Sequence, residues 1–317
     1  MALGIDTASV AGNKVIDWTK AKANGIGYAI HRAAYGTSED TVYNKKTGAV
    51  VMGFAKEWPA MKKAGVVRGA YLFLRFPCKS RGKLVVPTPT AQAEAICKIV
   101  GVLDPCDFPI FLDVEFPGEG QPDTGMTPAQ LLKGVLEAWQ VLKDHYGVAP
   151  IIYTSARVWL DDLKNPAVPA AVKESLLWLA RYAFAEGQAI LQADAVANPP
   201  VPPPWAGTDP TPIRYRGMPY SVSNWLCHQY MGNATGCPGF PTGNVDMNRI
   251  RPLAKGDSGE RVKWVQRRLG FKGKNVDGKF GPMTDKAVRV LQETKNDVVA
   301  DGIVGPRTFA YLCWMNP

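Results

Sequence analysis

Short apolar runs alternate with amphipathic segments over residues 1–250 of the chain. The apolar runs have the length of buried strands, and the segments between them show helical spacing of apolar positions. The predicted strands are Leu3–Asp6, Tyr28–Ala33, Gly69–Leu74, Pro109–Glu115, Pro150–Thr154, Leu176–Arg181, Trp225–Met231 and Asn244–Asn248. The predicted helices are Ile16–Ala23, Gly53–Ala64, Thr90–Val102, Thr127–Tyr146 and a short one near Ala156–Leu163. Strands joined by crossover helices run parallel, so the pattern predicts an α/β fold, an irregular (β/α) barrel.

A repeated motif distinguishes the last part of the chain. Asp277–Thr284 (DGKFGPMT) recurs as Asp301–Thr308 (DGIVGPRT), and each copy is a Gly-Pro turn leading into a helix. The predicted helices are Glu260–Leu269, Thr284–Thr294 and Thr308–Trp314. These patterns predict a barrel domain over residues 1–251 and a small all-α three-helix domain over 252–317. The Pro-rich stretch 198–212 is interpreted as a long rim loop of the barrel domain rather than a linker.

Two acidic residues interrupt the otherwise apolar strand Pro109–Phe116 (PIFLDVEF). Residues two apart in a strand project to the same face, so Asp113 and Glu115 lie side by side with Phe111, while Leu112 and Val114 face the other way. A buried strand gains nothing from two carboxylates unless a specific function needs them. A pair of acids at the end of a strand is typical of a site that cleaves glycosidic bonds.

Composition limits the other possibilities. An apolar content of 46% excludes intrinsic disorder, and no apolar run is long enough to span a membrane. The first residues lack a basic segment followed by an apolar stretch, so we expect no signal peptide. The formal charge is +9, and residues 251–317 hold 13 Lys/Arg against 7 Asp/Glu. This basic excess favours an anionic polymer as the target of the second domain: nucleic acid, teichoic acid, lipopolysaccharide or peptidoglycan.

The cysteines and histidines do not indicate a metal site. The six cysteines show no C-x-x-C spacing, so reduced thiols are expected, with Cys227 and Cys237 as the most plausible bridge in an oxidising compartment. The three histidines show no ligand spacing, which argues against a zinc hydrolase. His31 lies in an apolar strand and is interpreted as a core residue. No cofactor is expected.

Several ordered motifs resemble those of the glycoside hydrolase family 25 lysozymes, which are muramidases often found as phage endolysins. The matching stretches are Gly4–Asp6, Ile16–Trp18, Gly69–Tyr71, Leu112–Glu115, Ile152–Thr154, Trp178–Tyr182, Gln229–Tyr230 and Asn244–Asn248. The paired Asp-Gly-x-x-Gly-Pro turns resemble the peptidoglycan-binding type 1 module. Together the two resemblances cover nearly the whole chain.

The resemblance implies a set of site residues. Glu115 would be the general acid, with its pKa raised by burial and a neighbouring carboxylate, and Asp113 would stay ionised. Asp6 and Asp246 would converge on the same barrel mouth. The implied substrate-binding residues are Tyr71, Tyr153, Trp178, Arg181 and Gln229, and the implied wall-binding residues of the second domain are Lys263, Arg267 and Arg268. Net retention is favoured, with the substrate's own N-acetyl oxygen as a candidate nucleophile.

The resemblance also implies a biological setting. The protein would be a modular endolysin that cuts the β-1,4 bond from N-acetylmuramic acid to N-acetylglucosamine, with peptidoglycan as its partner. It would act as a monomer, without nucleic acid and without stable insertion into a membrane. It would remain in the cytoplasm of the host bacterium until a holin pore released it to the cell wall. A bacterial autolysin exported by another route stays open.

The sequence departs from the family pattern at three places. Leu72 stands where the family commonly has His, His228 stands where a Trp often precedes Gln-Tyr, and the Pro-rich stretch resembles an insertion. These departures affect contacts at the rim of the site and leave the acid pair in place.

Structural roles remain open for each candidate. Asp113 and Glu115 could form a salt-bridge network with Arg32 or Arg181. Asp6 could cap a loop, Asp246 could be a turn residue, and the candidate aromatic residues could be barrel packing. The basic helix of the second domain could be a solvated face, or part of a nucleic-acid-binding unit. Two other functions stay open as well: a chitinase-type glycosidase, and a wall-binding protein with a vestigial barrel.

Overall fold

The computed structural model describes residues 2–9, 16–43, 45–48, 50–79, 85–116, 123–155, 157–167, 169, 172, 175–180, 225–241 and 244–315. The strands are β1 (Ala2–Thr7), β2 (Ile26–Tyr35), β3 (Ser38–Glu39), β4 (Thr41–Tyr43), β5 (Val50–Gly53), β6 (Val67–Phe73), β7 (Phe111–Asp113), β8 (Ile151–Ser155), β9 (Leu177–Ala180), β10 (Trp225–Ala234) and β11 (Val245–Ile250). The α-helices are α1 (Trp18–Ala23), α2 (Phe54–Lys63), α3 (Pro89–Val100), α4 (Pro128–Tyr146), α5 (Glu260–Arg268), α6 (Pro282–Glu293) and α7 (Pro306–Cys313). A π-helical turn spans Arg157–Asp162 and a 3₁₀ turn spans Gly273–Asn275.

Eight of these strands close into a barrel. Their order around the barrel is β1, β2, β6, β7, β8, β9, β10 and β11, and β11 pairs back with β1. All neighbouring pairs are parallel except those made by β11, which is antiparallel to both β10 and β1. The predicted irregular (β/α) barrel is therefore confirmed. The carboxyl ends of the parallel strands gather at one end of the barrel, together with the beginning of β11.

Helix boundaries follow the capping residues. Thr127 accepts a hydrogen bond from the Gln130 backbone N–H, and the Gln130 side chain accepts one from the Thr127 backbone N–H, so α4 begins with a complete capping box. Asp17 caps α1 in a similar way by accepting from the Lys20 N–H. The predicted helix near Ala156–Leu163 takes the π-helical form.

Strand β7 is shorter than predicted. The sequence favoured a strand over Pro109–Glu115, whereas the ladder ends at Asp113. One further backbone bond follows, from the Val114 N–H to the Tyr153 carbonyl, and Glu115 lies beyond it. Leu112, Val114 and Phe116 all pack in the apolar cluster outside the barrel, so the alternation continues and Glu115 projects to the same side as Asp113.

The six cysteines, all within the described residues, are free thiols. Cys227 lies in the barrel interior, where its Sγ is 3.2 Å from the Tyr28 hydroxyl, and it forms no bridge with Cys237. His31 is fully buried and packs against Phe54, in agreement with a core role. The Pro-rich stretch 198–212 lies outside the described residues.

The three predicted helices of the C-terminal domain are present, and two buried glutamines explain its repeat. The Gln266 side chain donates to the carbonyl of Lys279 and accepts from the N–H of Gly278. The second copy reproduces this arrangement, because Gln292 donates to the carbonyl of Ile303 and its side-chain oxygen accepts from Gly302. Each Asp-Gly-x-x-Gly-Pro turn is thus closed around one glutamine, so the repeated motif is a folding device.

The C-terminal domain packs on the amino end of the barrel. The Trp314 indole donates to the carbonyl of Asp107, just before β7, at 2.8 Å, and Arg307 donates to the carbonyl of Gly65, just before β6, at 3.1 Å. The Arg261 guanidinium lies 4.4 Å from the ring centre of Trp225, the first residue of β10. The barrel interior and this domain share one apolar cluster. The domain therefore lies opposite the end where the parallel strands finish.

Among the described residues, none of the helices combines the length and the apolarity that crossing a lipid bilayer requires.

Candidate active site

Four carboxylate side chains lie at the carboxyl end of the barrel. Asp6, near the end of β1, is directly opposite Asp246, near the start of β11. Asp113 ends β7, and Glu115 follows two residues later. Electrostatic interactions connect Asp6 with Asp246 and Glu115, and they connect Asp113 with Glu115 and Asp6. The acid pair and the two aspartates from the first and last strands therefore form one cluster.

The neighbours of the acid pair show which way it faces. Phe111 belongs to the apolar cluster inside the barrel, whereas Leu112 and Val114 belong to the cluster that packs under α3 and α4. Side chains alternate along the extended chain, so Asp113 and Glu115 point inward with Phe111. The predicted division of the two faces is correct.

Burial dominates the charge state of the two inner carboxyls. Asp6 and Asp113 are each 6% exposed. Burial raises the pKa of Asp113 well above its usual range, and the negative charges of Glu115 and Asp6 raise it further. Burial also raises the pKa of Asp6, followed by the charge of Asp246, while hydrogen bonds from Asn248 and Gln229 oppose the rise. The cluster therefore keeps protons at pH values where isolated carboxyls have lost them.

Glu115 is the more accessible member of the acid pair. Burial raises the pKa of its carboxyl, and the charge of Asp246 adds to the rise. The nearby Tyr153 hydroxyl and the positive charge of Arg157 lower the pKa in part. A carboxyl that is protonated more readily than usual and still reaches solvent is suited to general acid catalysis.

The surroundings of Asp113 correct one expectation. The family resemblance implies that Asp113 stays ionised, but its burial and two nearby carboxylates disfavour the charged form. Its Oδ1 atom is buried and has no hydrogen-bond partner among the described residues. Arg32 lowers the pKa of Asp113 in part but binds Asp40 at 2.6 Å, so the alternative of a salt bridge to Arg32 is wrong.

Two amides hold the aspartates in place. The Gln229 amide nitrogen donates to Asp6 at 2.8 Å and to Asp246 at 3.2 Å, and its oxygen accepts from the Tyr153 hydroxyl at 2.8 Å. The Asn248 amide nitrogen donates to Asp6 at 2.6 Å. Donors from two different strands thus fix the Asp6 carboxylate, which loop capping would not require. Asp246 also accepts a hydrogen bond from the backbone N–H of Asn233 at 2.6 Å, a contact that agrees with the turn role left open for it.

The candidate aromatic residues pack inside the barrel, beneath the carboxylate cluster. Trp178 is 1% exposed and donates its indole N–H to the Asn248 side chain at 2.7 Å. Its ring centre lies 4.3 Å from that of Tyr153 and 6.1 Å from that of Tyr71. The burial of Trp178 leaves no open ring face for a sugar, so this geometry favours a supporting role. Arg181 lies outside the described residues.

The family comparison agrees with this arrangement. The model of the glycosyl hydrolases family 25 matches residues 5–198, which include three of the four clustered carboxylates. The chain belongs to family 25. It is therefore a glycoside hydrolase. A peptidoglycan binding domain model matches residues 258–312, which contain both copies of the repeat.

Individual relatives resemble different parts of this family 25 protein. Lysozyme M1 of Streptomyces globisporus is 26% identical over 253 residues, covering 79% of this chain and 68% of that one. The zinc D-Ala-D-Ala carboxypeptidase of Streptomyces albus G is 44% identical over 62 residues, covering 18% of this chain and 24% of the enzyme. The chain thus spans about a quarter to a half of the length of the relatives that match its C-terminal domain.

A solved structure has the same fold. The lysozyme of Streptomyces coelicolor superposes with a TM-score of 0.53 at 23% identity, covering 79% of this chain and 92% of that one.

Two of the three basic residues expected to bind the wall already form contacts within the C-terminal domain. Lys263 forms an ion pair with Glu260 at 2.6 Å. Arg268 donates to the carbonyl of Met315 at 2.7 Å and lies over the Trp264 ring. These contacts fit the solvated-face alternative for Lys263 and a structural role for Arg268. A role of Arg267 in wall binding stays a prediction.

One group of potential metal ligands occurs within the described part of the chain. It consists of Asp104, Cys106 and Asp107, at the amino end of β7 and away from the carboxylate cluster. Both aspartates already bind Arg68, at 3.0 and 2.5 Å. The group therefore has a structural partner and no connection with the site.

Sequence reasoning missed two residues of the site. Asn248 stands out in the sequence only as part of a motif, although it lies two residues from Asp246 on β11 and so shares its face. Arg157 was not singled out, because an arginine after a strand carries no signal of its own. Its proximity to Glu115 depends on the pairing of β7 with β8.

Proposed function

We propose that this protein is an N-acetylmuramidase that hydrolyses the β-1,4 bond between N-acetylmuramic acid and N-acetylglucosamine, with Glu115 as the general acid. One observation carries the proposal: Glu115, accessible and with a raised pKa, lies among three further carboxylates at the mouth of a family 25 barrel. The match of a peptidoglycan binding domain in the same chain supports the choice of substrate.

The reaction follows from the acid and its surroundings. Glu115 donates its proton to the glycosidic oxygen, the bond to the anomeric carbon of N-acetylmuramic acid breaks, and positive charge develops on that ring. Glu115 becomes a carboxylate when it gives up its proton, and this negative charge stabilises the developing cation. Water finally adds to the anomeric carbon, and its proton returns to Glu115. We further propose net retention, in which the substrate's acetamido oxygen attacks first and Asp113 Oδ1, unpartnered among the described residues, binds the acetamido N–H.

The C-terminal domain is proposed to anchor the enzyme on the wall. Its excess of basic residues suits an anionic polymer, and tethering raises the effective concentration of the enzyme on an insoluble substrate. We also propose that the protein is a monomeric phage endolysin, held in the host cytoplasm until a holin forms pores. Expression in a host with and without a holin tests this setting: lysis should require the holin.

Glu115→Gln tests the role of the acid. The variant keeps shape and hydrogen bonding but cannot donate a proton, so the rate of turbidity loss of a cell-wall suspension should fall by about 10²–10⁴-fold. Glu137→Gln, at a partly exposed position on α4, is the matched control and should lyse at the wild-type rate. Unchanged lysis by Glu115→Gln would refute the assignment.

Product analysis tests the bond that is cut. Mass spectrometry of digested peptidoglycan should find N-acetylmuramic acid at the new reducing ends. Reducing N-acetylglucosamine would instead indicate a glycosidase with the other specificity. Wall binding by the wild type without any lysis would identify a non-catalytic wall-binding protein.

A further inference from the structure

A single arginine lies between the end of β7 and the turn that follows β8. Arg157 opens the π-helical turn, donates to Asp162 at 2.7 Å and also donates to the carbonyl of Phe116 at 3.2 Å. Phe116 is the residue directly after Glu115. The Arg157 guanidinium therefore ties the chain that carries the proposed acid to the neighbouring βα connection.

The carboxylate that pairs with Arg157 lies inside the protein. Asp162 has a fully buried side chain, and its Oδ1 atom has no hydrogen-bond partner among the described residues. Burying a carboxylate is costly unless a cation pairs with it, so Asp162 has a strong preference to keep Arg157 in place. The turn itself has π-helical geometry, a rare form that is frequent at functional sites.

We propose that Arg157 is a positioning residue for Glu115: its guanidinium fixes the chain beyond β7 and places one positive charge beside the acid. This inference rests on the proposed function of Glu115. The Arg157 side chain is 33% exposed, so solvent partly screens its charge. The residue acts through Glu115 and does not itself exchange a proton.

The other groups around Glu115 must be considered with this charge. Among the described residues they are Asp113 on the same segment, Tyr153 on β8, Asp246 on β11 and Asp6 on β1. Three of these four are carboxylates, whose negative charge opposes ionisation of Glu115. Within the described part of the chain, Arg157 is the cation that acts directly on Glu115, since Arg32 acts on Asp113.

The sign of the effect follows from the chemistry of a general acid. Activity falls as pH rises and Glu115 loses its proton. A nearby cation stabilises the carboxylate and lowers the pKa of Glu115, so removal of the cation should move the alkaline limb of the activity profile to higher pH.

The test compares Arg157→Gln, Arg157→Lys and the wild type in lysis of one wall preparation from about pH 4 to about pH 8. Arg157→Gln should be about tenfold slower at its optimum, because the chain carrying the acid is less well fixed. Its ratio of activity at pH 7.5 to that at pH 5.5 should rise about 2–5-fold over the wild-type ratio. Arg157→Lys keeps the charge, so its alkaline limb should coincide with that of the wild type although its rate is lower.

Asp162→Asn gives a second variant with the opposite sign. It removes the counter-charge, but the Asn oxygen can still accept from Arg157 and keep the guanidinium in place. The uncompensated positive charge then lowers the pKa of Glu115 further, so the alkaline limb should move to lower pH. The inference would be overturned if the alkaline limb of the pH–activity profile did not move in Arg157→Gln. It would also be overturned if this limb moved equally in Arg157→Lys, because a merely structural contact changes the rate without moving the limb. Failure of the wild type to lyse walls would instead refute the proposed function.

Discussion

At the scale of single residues, the site holds carboxyl groups in positions that are shielded from water. Asp6 and Asp113 are buried carboxyls, and only Asp6 has two amide donors. Asp113 is left with an unpartnered oxygen among the described residues. A buried carboxyl oxygen without a hydrogen-bond partner lowers the free energy of unfolding. Such a group persists where function requires it. The free energy of unfolding should therefore increase when the carboxyl of Asp113 is neutralised.

Asp113→Asn tests this cost. The pKa of Asp113 is raised in the folded state, so its contribution to stability is complete below the ordinary Asp value of about 3.9 and is lost as pH rises through the folded value. The variant escapes this loss, and its unfolding temperature near pH 7 should exceed that of the wild type by about 2–4 °C. Calorimetry at several pH values measures the difference, which should vanish near pH 3. Asp144→Asn, on the exposed side of α4, is the control, and its unfolding temperature should stay within about 1 °C of the wild-type value.

At the scale of elements, glycines let aromatic rings fill the barrel. A Cβ atom at Gly69 on β6 would lie 2.5 Å from the Phe111 ring, and one at Gly4 on β1 would lie 2.3 Å from the Tyr28 ring. Both distances are shorter than van der Waals contact allows. The strands therefore reach their positions around the barrel because small residues face large ones across the interior.

Gly69→Ala should accordingly destabilise the barrel by about 1–3 kcal/mol, since Phe111 cannot move without disturbing β7. Because the ring lies under Asp113 and Glu115, lysis should slow as well. Gly27→Ala on β2 is the matched control: its Cβ would meet the Leu3 carbonyl at an ordinary 3.6 Å, and its stability should stay within about 0.5 kcal/mol of the wild type. Chemical denaturation measures both. Equal stability of the two variants would contradict the packing argument.

At the scale of the whole molecule, the carboxylate cluster and the C-terminal domain occupy opposite ends of the barrel. The domain is held by Trp314, Arg307 and Arg261, the last with its guanidinium between the rings of Trp225 and Phe309. Arg261 is 7% exposed at this junction, and its burial lowers the pKa of the guanidinium to about 9. A wall strand bound by this domain and a strand in the catalytic site would therefore contact different faces of the protein.

Trp314→Ala should weaken this junction. The shared contacts predict one calorimetric transition for the wild type. The substitution removes the hydrogen bond to Asp107 and part of the shared apolar cluster, so the two domains of the variant should unfold in two transitions. Val299→Ala, at a position 77% exposed, is the control and should keep the single transition. Persistence of one transition in Trp314→Ala would show that the remaining contacts suffice to couple the domains.

The sequence alone determined the order and type of most elements. Strand and helix patterns gave the barrel, Thr127 and Pro128 marked the start of α4, and the repeat marked the C-terminal helices. The alternation of side chains also gave the inward face of Asp113 and Glu115. These features depend on local periodicity and capping, which are properties of contiguous residues.

Tertiary structure decided what depends on distant residues. Only barrel closure sets Asp6 opposite Asp246 and beside Asn248, and only the pairing of β7 with β8 brings Arg157 to Glu115. The raised pKa of Asp113 could not be predicted from the sequence for the same reason, because burial is a property of the packed barrel. Desolvation and charge interactions act through space, between groups that the sequence separates by up to 242 positions.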